Sequence, residues 1–158
     1  MRNISHSLRP SILDDLGLSA ALRWFLLEME KQTDIAIRFL ADALPKRLSP
    51  DVEVVLFRVV QEAFTNVVRH SQAKTFEVRL ERSTEGIELV IKDDGIGLDP
   101  AVTRTGHSLG IVGMRERVAD VGGTFAIHSL PGQGTEIRVS IQIFKEETNT
   151  TQRSEMKP

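Results

Sequence analysis

Glu62, Asn66 and His70 recur at intervals of four residues, a spacing that stacks side chains one above another along one face of an α-helix. They border an apolar stripe centred near Leu56 and Ala63, so the trio lies along the rim of a core, where a cleft would open. A carboxylate beside an amide carbonyl is an oxygen-donor pair suited to a hard cation. Magnesium takes few protein ligands, keeps several waters and completes its shell with phosphate oxygens. The plainer reading is three polar side chains supporting one another on a helix surface. Against it, asparagine is a mediocre residue for a helix interior, which favours a use for its amide.

A second group is Asp93-Asp94-Gly95-Ile96-Gly97, placed where an apolar strand ends. Glycines there let the chain turn with positive φ and let a flat ligand approach the backbone. An aspartate at the strand end is an acceptor able to fix an exocyclic amine, although Asp-Gly is equally a common turn dipeptide. The third group is the segment LDPAVTRTGHSLG, Leu98 to Gly110. A loop of about a dozen residues without apolar periodicity, inside a compact domain, suggests a lid, with a mobile surface loop as the alternative. Its last glycines open a helix whose first amides suit an anion. Arg115 and Arg117 follow, either approaching phosphate or remaining solvated.

These groups need a scaffold, and hydrophobic periodicity supplies one. Leu18, Leu22, Phe25, Leu26 and Met29 mark a helix over about Gly17 to Thr33. Ile35, Ile37 and Phe39 alternate as a short strand. Ser49 is expected to cap the next helix, with Pro50 at its first position and Asp51 favourable to its dipole. That helix carries Val52, Val55, Leu56, Val59, Val60, Ala63, Phe64 and Val67 and should be central to the core. Phe76, Val78 and Leu80, then Ile87, Leu89 and Ile91, form a hairpin joined at Ser83 to Gly86. A helix around Ile111 to Val121 ends at Gly122-Gly123, and strands over Thr124 to Ser129 and Thr135 to Phe144 close the domain. The order of helix, strand, helix, two strands, helix, two strands predicts an α+β sandwich with helices layered on one side of a sheet.

The chain has 158 residues, 20 basic against 22 acidic, and no cysteine. That excludes zinc ribbons, thiol nucleophiles and iron–sulfur ligation. The charge balance leaves no basic footprint for nucleic acid, so an anionic ligand needs a local site. No run reaches the roughly 18 to 20 apolar residues of a membrane span, and the first residues lack the order of a signal peptide. The chain as given is expected to be soluble and cytoplasmic, without membrane contact. The stretch from Lys145 on is polar and charged and is expected to be a disordered tail. GxxxxGK[ST], GxGxxG after a first strand, and the HRD and DFG signatures of protein kinases are all missing, so a nucleotide site must be of another design.

Taken together, QEAFTNVVRHSQA (Gln61 to Ala73), DDGIG (Asp93 to Gly97), LGIVGMRERV (Leu109 to Val118) and GQGTEIRV (Gly132 to Val139) resemble the asparagine box and glycine boxes of sensor histidine kinases. Their order and spacing fit the ATPase superfamily shared with gyrase, Hsp90 and MutL. LRPSILDDLGLSAAL and GMRERV resemble the subfamily of nitrate-sensor type, and the likeness covers Leu8 to Phe144. It implies a two-layer α/β sandwich of the Bergerat type with a mixed sheet, binding ATP and Mg2+. By position it implies that Asn66 binds magnesium with Glu62 one turn earlier, and that Asp93 receives the adenine amino group. Gly95 and Gly97 shape the adenine wall and the lid hinge, and Gly106, Leu109, Gly110 and Gly113 form the lid's end beside the phosphates. Arg69, His70 and Lys74 contact phosphate, and Thr135 stands on the adenine side.

The resemblance further implies transfer of the γ-phosphate to a histidine on a separate dimerisation domain of the parent kinase, for relay to a response regulator. Residues 1–16 are then a remnant of the dimerisation helix and linker, 17–144 the ATP-binding catalytic domain, and 145–158 the tail. Two departures stand out: Ser108 replaces a glycine common before the lid's Leu-Gly pair, and the acceptor motif of histidine followed by an acid is missing, since Ser7 follows His6. The competing classes are a serine kinase of the anti-sigma type, an ATP-driven clamp and a nucleotide-gated interaction module.

Overall fold

The structure is a computed structural model and describes residues 10–44, 46–105 and 108–143. Its elements run α1 (Ser11–Leu16), α2 (Leu18–Gln32), β1 (Ala36–Ala41), α3 (Pro50–Asn66), one turn of π-helix (Val67–Ser71), β2 (Thr75–Arg82), β3 (Gly86–Asp93), α4 (Pro100–Thr105), α5 (Leu109–Asp120), β4 (Thr124–Ser129) and β5 (Thr135–Gln142). One five-stranded sheet has the order β1-β2-β3-β5-β4. β1 runs parallel to β2 and the other neighbours are antiparallel, which makes the sheet mixed and the fold α+β, as expected.

The period of two along each strand divides the sheet into a dry face and a wet one. Phe76, Val78, Leu80, Leu89, Ile91, Ile137, Val139 and Ile141 are buried on the dry face under α2, α3 and α5. Phe25, Phe57, Phe64 and Phe76 join edge to face, with ring centroids 5.2–6.2 Å apart, the geometry aromatic quadrupoles prefer. The wet face is a charge ladder, including Lys92–Glu136 at 2.8 Å and Arg138–Glu88 at 2.8 Å. The Lys92 ammonium and Arg138 guanidinium hold the Glu136 carboxyl below its ordinary range. Val90 is buried on this face because its ladder partners are Arg79 and Arg138, whose aliphatic stems suit covering an apolar residue.

Pro50 opens α3 as expected, but Ser49 caps it only by position: its backbone is extended and its side chain makes no capping bond. Its carbonyl accepts from Glu53 N at 3.0 Å. Residues 11–16, expected to lie outside the domain, pack into the same core through Leu13, which is 1% exposed. Arg47 fixes them, donating to the carbonyls of Leu13 (3.0 Å) and Asp14 (3.1 Å) and to the buried carboxylate of Glu53 (3.0 Å). A guanidinium suits this task because its planar fork serves several acceptors at once. The strand expected to reach Phe144 ends at Gln142; Phe144, the tail and His6 lie outside the described residues. Among the described residues no helix is long and apolar enough to cross a membrane.

Candidate functional site

The end of α3, the ends of β3 and β5 and the segment leading into α5 enclose a cavity of about 420 Å³, within the range of small-molecule sites. Asn66, His70, Asp93, Gly97, Ser108 and Thr135 line it, over a floor that includes Phe76, Ile91, Met114 and Ile137. Residues far apart in sequence thus meet in one mostly apolar cleft with a few polar groups at its edge.

Asn66 and His70 do not sit on one regular α-helix as their spacing suggested. Beyond Asn66 the chain widens into the π turn and leaves it at Gln72, whose φ is +52°. Ser71 closes that turn: its hydroxyl donates to Val67 O at 3.0 Å and accepts from Ala73 N at 3.1 Å. The Ser71 carbonyl then accepts from Ile96 N at 2.7 Å. The end of α3 and the Asp-Gly loop are therefore joined at one buried serine, whose role the sequence does not reveal. Gly95 is required here for space, since a Cβ on it would run into the Ser71 carbonyl. It shapes the loop without lining the cavity.

The neighbouring aspartates divide two tasks. Asp93 faces the cavity, and one carboxylate oxygen accepts from Gly95 N at 2.8 Å. Burial pushes its carboxyl above the ordinary value, opposed by the Gly95 amide and reinforced by the adjacent Asp94 charge. Asp94 instead accepts from the amides of Lys74 (2.8 Å) and Thr75 (2.9 Å), pinning the start of β2 to the loop. The Thr75 amide leads in holding its carboxyl below the ordinary range.

Glu62 does not line the cavity, yet it reaches the same corner. A Cβ on Gly110 would strike its carboxylate and stand 3.7 Å from the Asn66 amide nitrogen. Gly110 thus lets the first turn of α5 approach both side chains. Ser108 precedes that turn with an extended backbone and no side-chain cap, and the first helical bond is Val112 N to Ser108 O at 3.0 Å. The leading amides of this 12-residue helix carry the positive end of its dipole. The Glu62 carboxylate and the Asn66 amide stand beside them. Among the described residues no set of three or more His, Asp or Glu could hold a metal, so a cation at this corner would depend on Asn66, Glu62, water and ligand oxygens, as magnesium does.

The remaining candidates are placed differently. Arg69, Lys74 and Leu109 are exposed and do not line the cavity, Leu109 being 89% exposed. Lys74 contributes its backbone, donating to Asp94 and accepting from Ala36 N at 2.9 Å. At Gly113 nothing lies within 4 Å of the point a Cβ would occupy. Arg115 stacks over Phe125 at 5.5 Å to the ring centroid, and Arg117 is exposed. Gly106 lies outside the described residues. The stretch expected as a continuous loop contains α4, whose first turn is fixed by Asp99 accepting from Ala101 N at 2.8 Å. The Asp-Pro pair held that signal, a cap followed by proline at the first helical position.

Across the cavity, Ser129 at the end of β4 binds three partners: Leu98 N at 2.7 Å, Gly134 O at 2.9 Å and Thr135 Oγ1 at 3.0 Å. This side chain too is silent in the sequence, because its partners converge only when β4, the start of β5 and the segment between β3 and α4 meet.

Residues 51–145 match the family described as histidine kinase-, DNA gyrase B-, and HSP90-like ATPase. The chain is 39% identical over 147 residues to the signal transduction histidine-protein kinase/phosphatase DegS of Brevibacillus brevis, covering 93% of this chain and 38% of the relative. It is 36% identical over 143 residues to the oxygen sensor histidine kinase NreB of Staphylococcus carnosus, covering 90% and 41%. The chain therefore spans about two fifths of these curated relatives. Among solved structures, the Erythrobacter litoralis EL346 blue-light activated histidine kinase superposes with a TM-score of 0.69 at 19% identity, over 79% of this chain and 41% of that one. The ATP binding domain of PrrB from Mycobacterium tuberculosis gives 0.57 at 18% identity, over 77% and 90%; both show the same fold. With more than half of its length matched, this chain belongs to the histidine kinase-, DNA gyrase B- and HSP90-like ATPase family, as an ATP-binding domain of the sensor histidine kinase type.

Proposed function

We propose that this chain binds Mg-ATP in the cavity between α3 and the lid segment and presents the γ-phosphate to a histidine on a separate dimerisation domain of its parent kinase, for relay to a response regulator. The observation that carries this is the convergence of Asp93, Asn66 and the start of α5 on one cleft. Asp93 and Thr135 receive the adenine edge, and the apolar floor packs on the ring. Gly97, with φ of +77° and no room for a Cβ against the Leu130 carbonyl, turns the chain from the adenine wall toward the lid. Asn66, with Glu62 behind it, holds the metal, and the amides at the start of α5 meet the phosphates. His70 and Gly110 complete the phosphate side. Magnesium, when bound, neutralises charge on the phosphate oxygens.

Transfer needs little covalent work from this chain, since phosphoryl transfer is mainly positioning and charge stabilisation. The acceptor imidazole nitrogen forms a bond to the γ-phosphorus, the bond to the β–γ bridging oxygen breaks, ADP departs and the imidazole proton passes to water or a carboxylate. Residues 17–144 are the catalytic domain in this reading, with α1 the docked end of a linker from the dimerisation helix, working in the cytoplasm.

Asn66→Ala is expected to abolish most of the magnesium enhancement of ADP binding while leaving metal-free ADP binding close to wild type. Calorimetry with and without magnesium checks this, and an undiminished enhancement in the variant rejects the metal assignment. The transfer itself is tested with γ-labelled ATP. The chain alone should acquire no acid-labile phosphohistidine, and addition of an acceptor domain from the parent kinase should produce it there. Acid-stable phosphoserine on a small partner would favour the serine-kinase class, and failure to bind any nucleotide would favour an interaction module.

A further inference from the structure

We propose that Ser129 is a positioning residue that sets base specificity: it commits the hydrogen of the Thr135 hydroxyl, so that the cavity offers an incoming base only acceptors at this edge. The inference rests on the nucleotide reading above and deepens it.

The argument is one of hydrogen-bond satisfaction. A serine hydroxyl has one hydrogen and two acceptor lone pairs. Of the three partners of Ser129 Oγ, Leu98 N at 2.7 Å can only donate and Gly134 O at 2.9 Å can only accept. The Leu98 amide therefore uses one lone pair, and the single hydrogen goes to the Gly134 carbonyl. Thr135 Oγ1, at 3.0 Å, is left facing the second lone pair, so Thr135 must be the donor in that contact. Any other arrangement breaks one of the three bonds.

Thr135 lines the cavity, whereas Ser129 does not. With its only hydrogen turned away toward Ser129, the Thr135 hydroxyl shows lone pairs to the ligand. Its antiparallel partner across the ladder is Asp93, whose ionised carboxylate is likewise acceptor-only. Two acceptors side by side match the two hydrogens of an exocyclic amine. They oppose a 6-oxo purine, whose carbonyl would face lone pairs with no donor. Were Thr135 free to rotate, its hydroxyl could donate to that carbonyl and the discrimination would weaken. The same serine ties Leu98, the first residue of the lid segment, to the adenine side.

The test compares Mg-ADP with Mg-IDP, which differ at the 6-position, by calorimetry on the full chain. Wild type is expected to prefer ADP by at least about tenfold, because a site built for a donor leaves its polar groups unpaired against the wrong base. Ser129→Ala should reduce that preference by roughly threefold or more, and Ser129→Thr, which keeps a hydroxyl, should restore it. In a Thr135→Val background the Ser129→Ala change should no longer alter the ratio, because the group it orients is gone. Equal losses for ADP and IDP in Ser129→Ala would mark a merely structural role and overturn the proposal. If Ser129→Ala does not fold, Thr135→Val alone decides: an unchanged ratio overturns the proposal and a reduced one supports it. Wild-type protein that binds neither nucleotide overturns the underlying nucleotide reading, and this proposal with it.

Discussion

Asp93→Asn is expected to weaken nucleotide binding by at least about tenfold, since hydrogen bonds to a charged group contribute about 1.5–3 kcal/mol. The same change should leave the ligand-free protein as stable as wild type at neutral pH, or more stable. The carboxylate faces the cavity, where burial raises its pKa above the ordinary value, so the folded state disfavours its charged form. A carboxyl with a raised folded pKa contributes stability that is fully present below its unfolded pKa and is lost as pH rises through the folded pKa. At neutral pH the ionised Asp93 therefore burdens the empty fold, its bond from Gly95 N offsetting part of that burden. Asparagine keeps an acceptor for Gly95 N but can turn an NH2 toward the base, donor against donor. Thermal melts of both proteins across the acid range, with calorimetry of ATP binding, check the two halves separately. Unchanged ATP affinity in the variant would sink the adenine assignment, and a lower ligand-free melting temperature at neutral pH would sink the electrostatic one.

Gly134→Ala is expected to be the most damaging small substitution near the site. Gly134 has φ of +75°, a conformation costing an L-residue roughly 1–2 kcal/mol. Its Cβ would also press on the Asp93 carbonyl, 2.9 Å from the carbonyl carbon and 3.1 Å from Asp94 Cα. Backbone gives way less readily than a side chain, and overpacking of this kind adds about 1–3 kcal/mol. For a domain of this size the sum corresponds to a fall in Tm on the order of 10 °C. Nucleotide affinity should fall with it, because the atoms displaced belong to Asp93. Gly132→Ala is the control: its φ is +76°, yet nothing lies within 4 Å of the added methyl, so only the conformational cost applies. Melting curves in which the two variants coincide would show that the close approach between β5 and the end of β3 does not matter.

What is legible in one dimension and what is not divide along a physical line. Strands and helices with sustained periods were legible, because alternation along β2, β3 and β5 and the stripe on α3 reflect which face is buried. Asn66, Asp93, Gly97 and Thr135 were legible as candidates because each belongs to a short local motif, and the fold brings all four to one cavity. Arg69 and Leu109 belong to the same motifs and Lys74 directly follows one, yet none of the three lines it. Motif membership fixes position along the chain, not direction in space. The helix α4 was hidden by its brevity, although its Asp99-Pro100 start was readable.

By itself, then, the sequence determined the α+β class, the burial face of each long element, the absence of cysteine chemistry and the motifs of an ATP-binding domain. Only the tertiary structure decided that α1 is docked by Arg47, which reaches across 34 residues to Leu13. It alone showed the π turn that joins Ser71 to the Asp-Gly loop, and the division of labour between Asp93 and Asp94. It alone assembled the Ser129 bond to Leu98, 31 residues away. The reason is common to all of these. A hydrophobic period is repeated along many residues and survives in one dimension, whereas a polar hub is one side chain whose partners come from distant segments. Its meaning exists only once burial has brought those segments together and left each buried donor and acceptor to be satisfied.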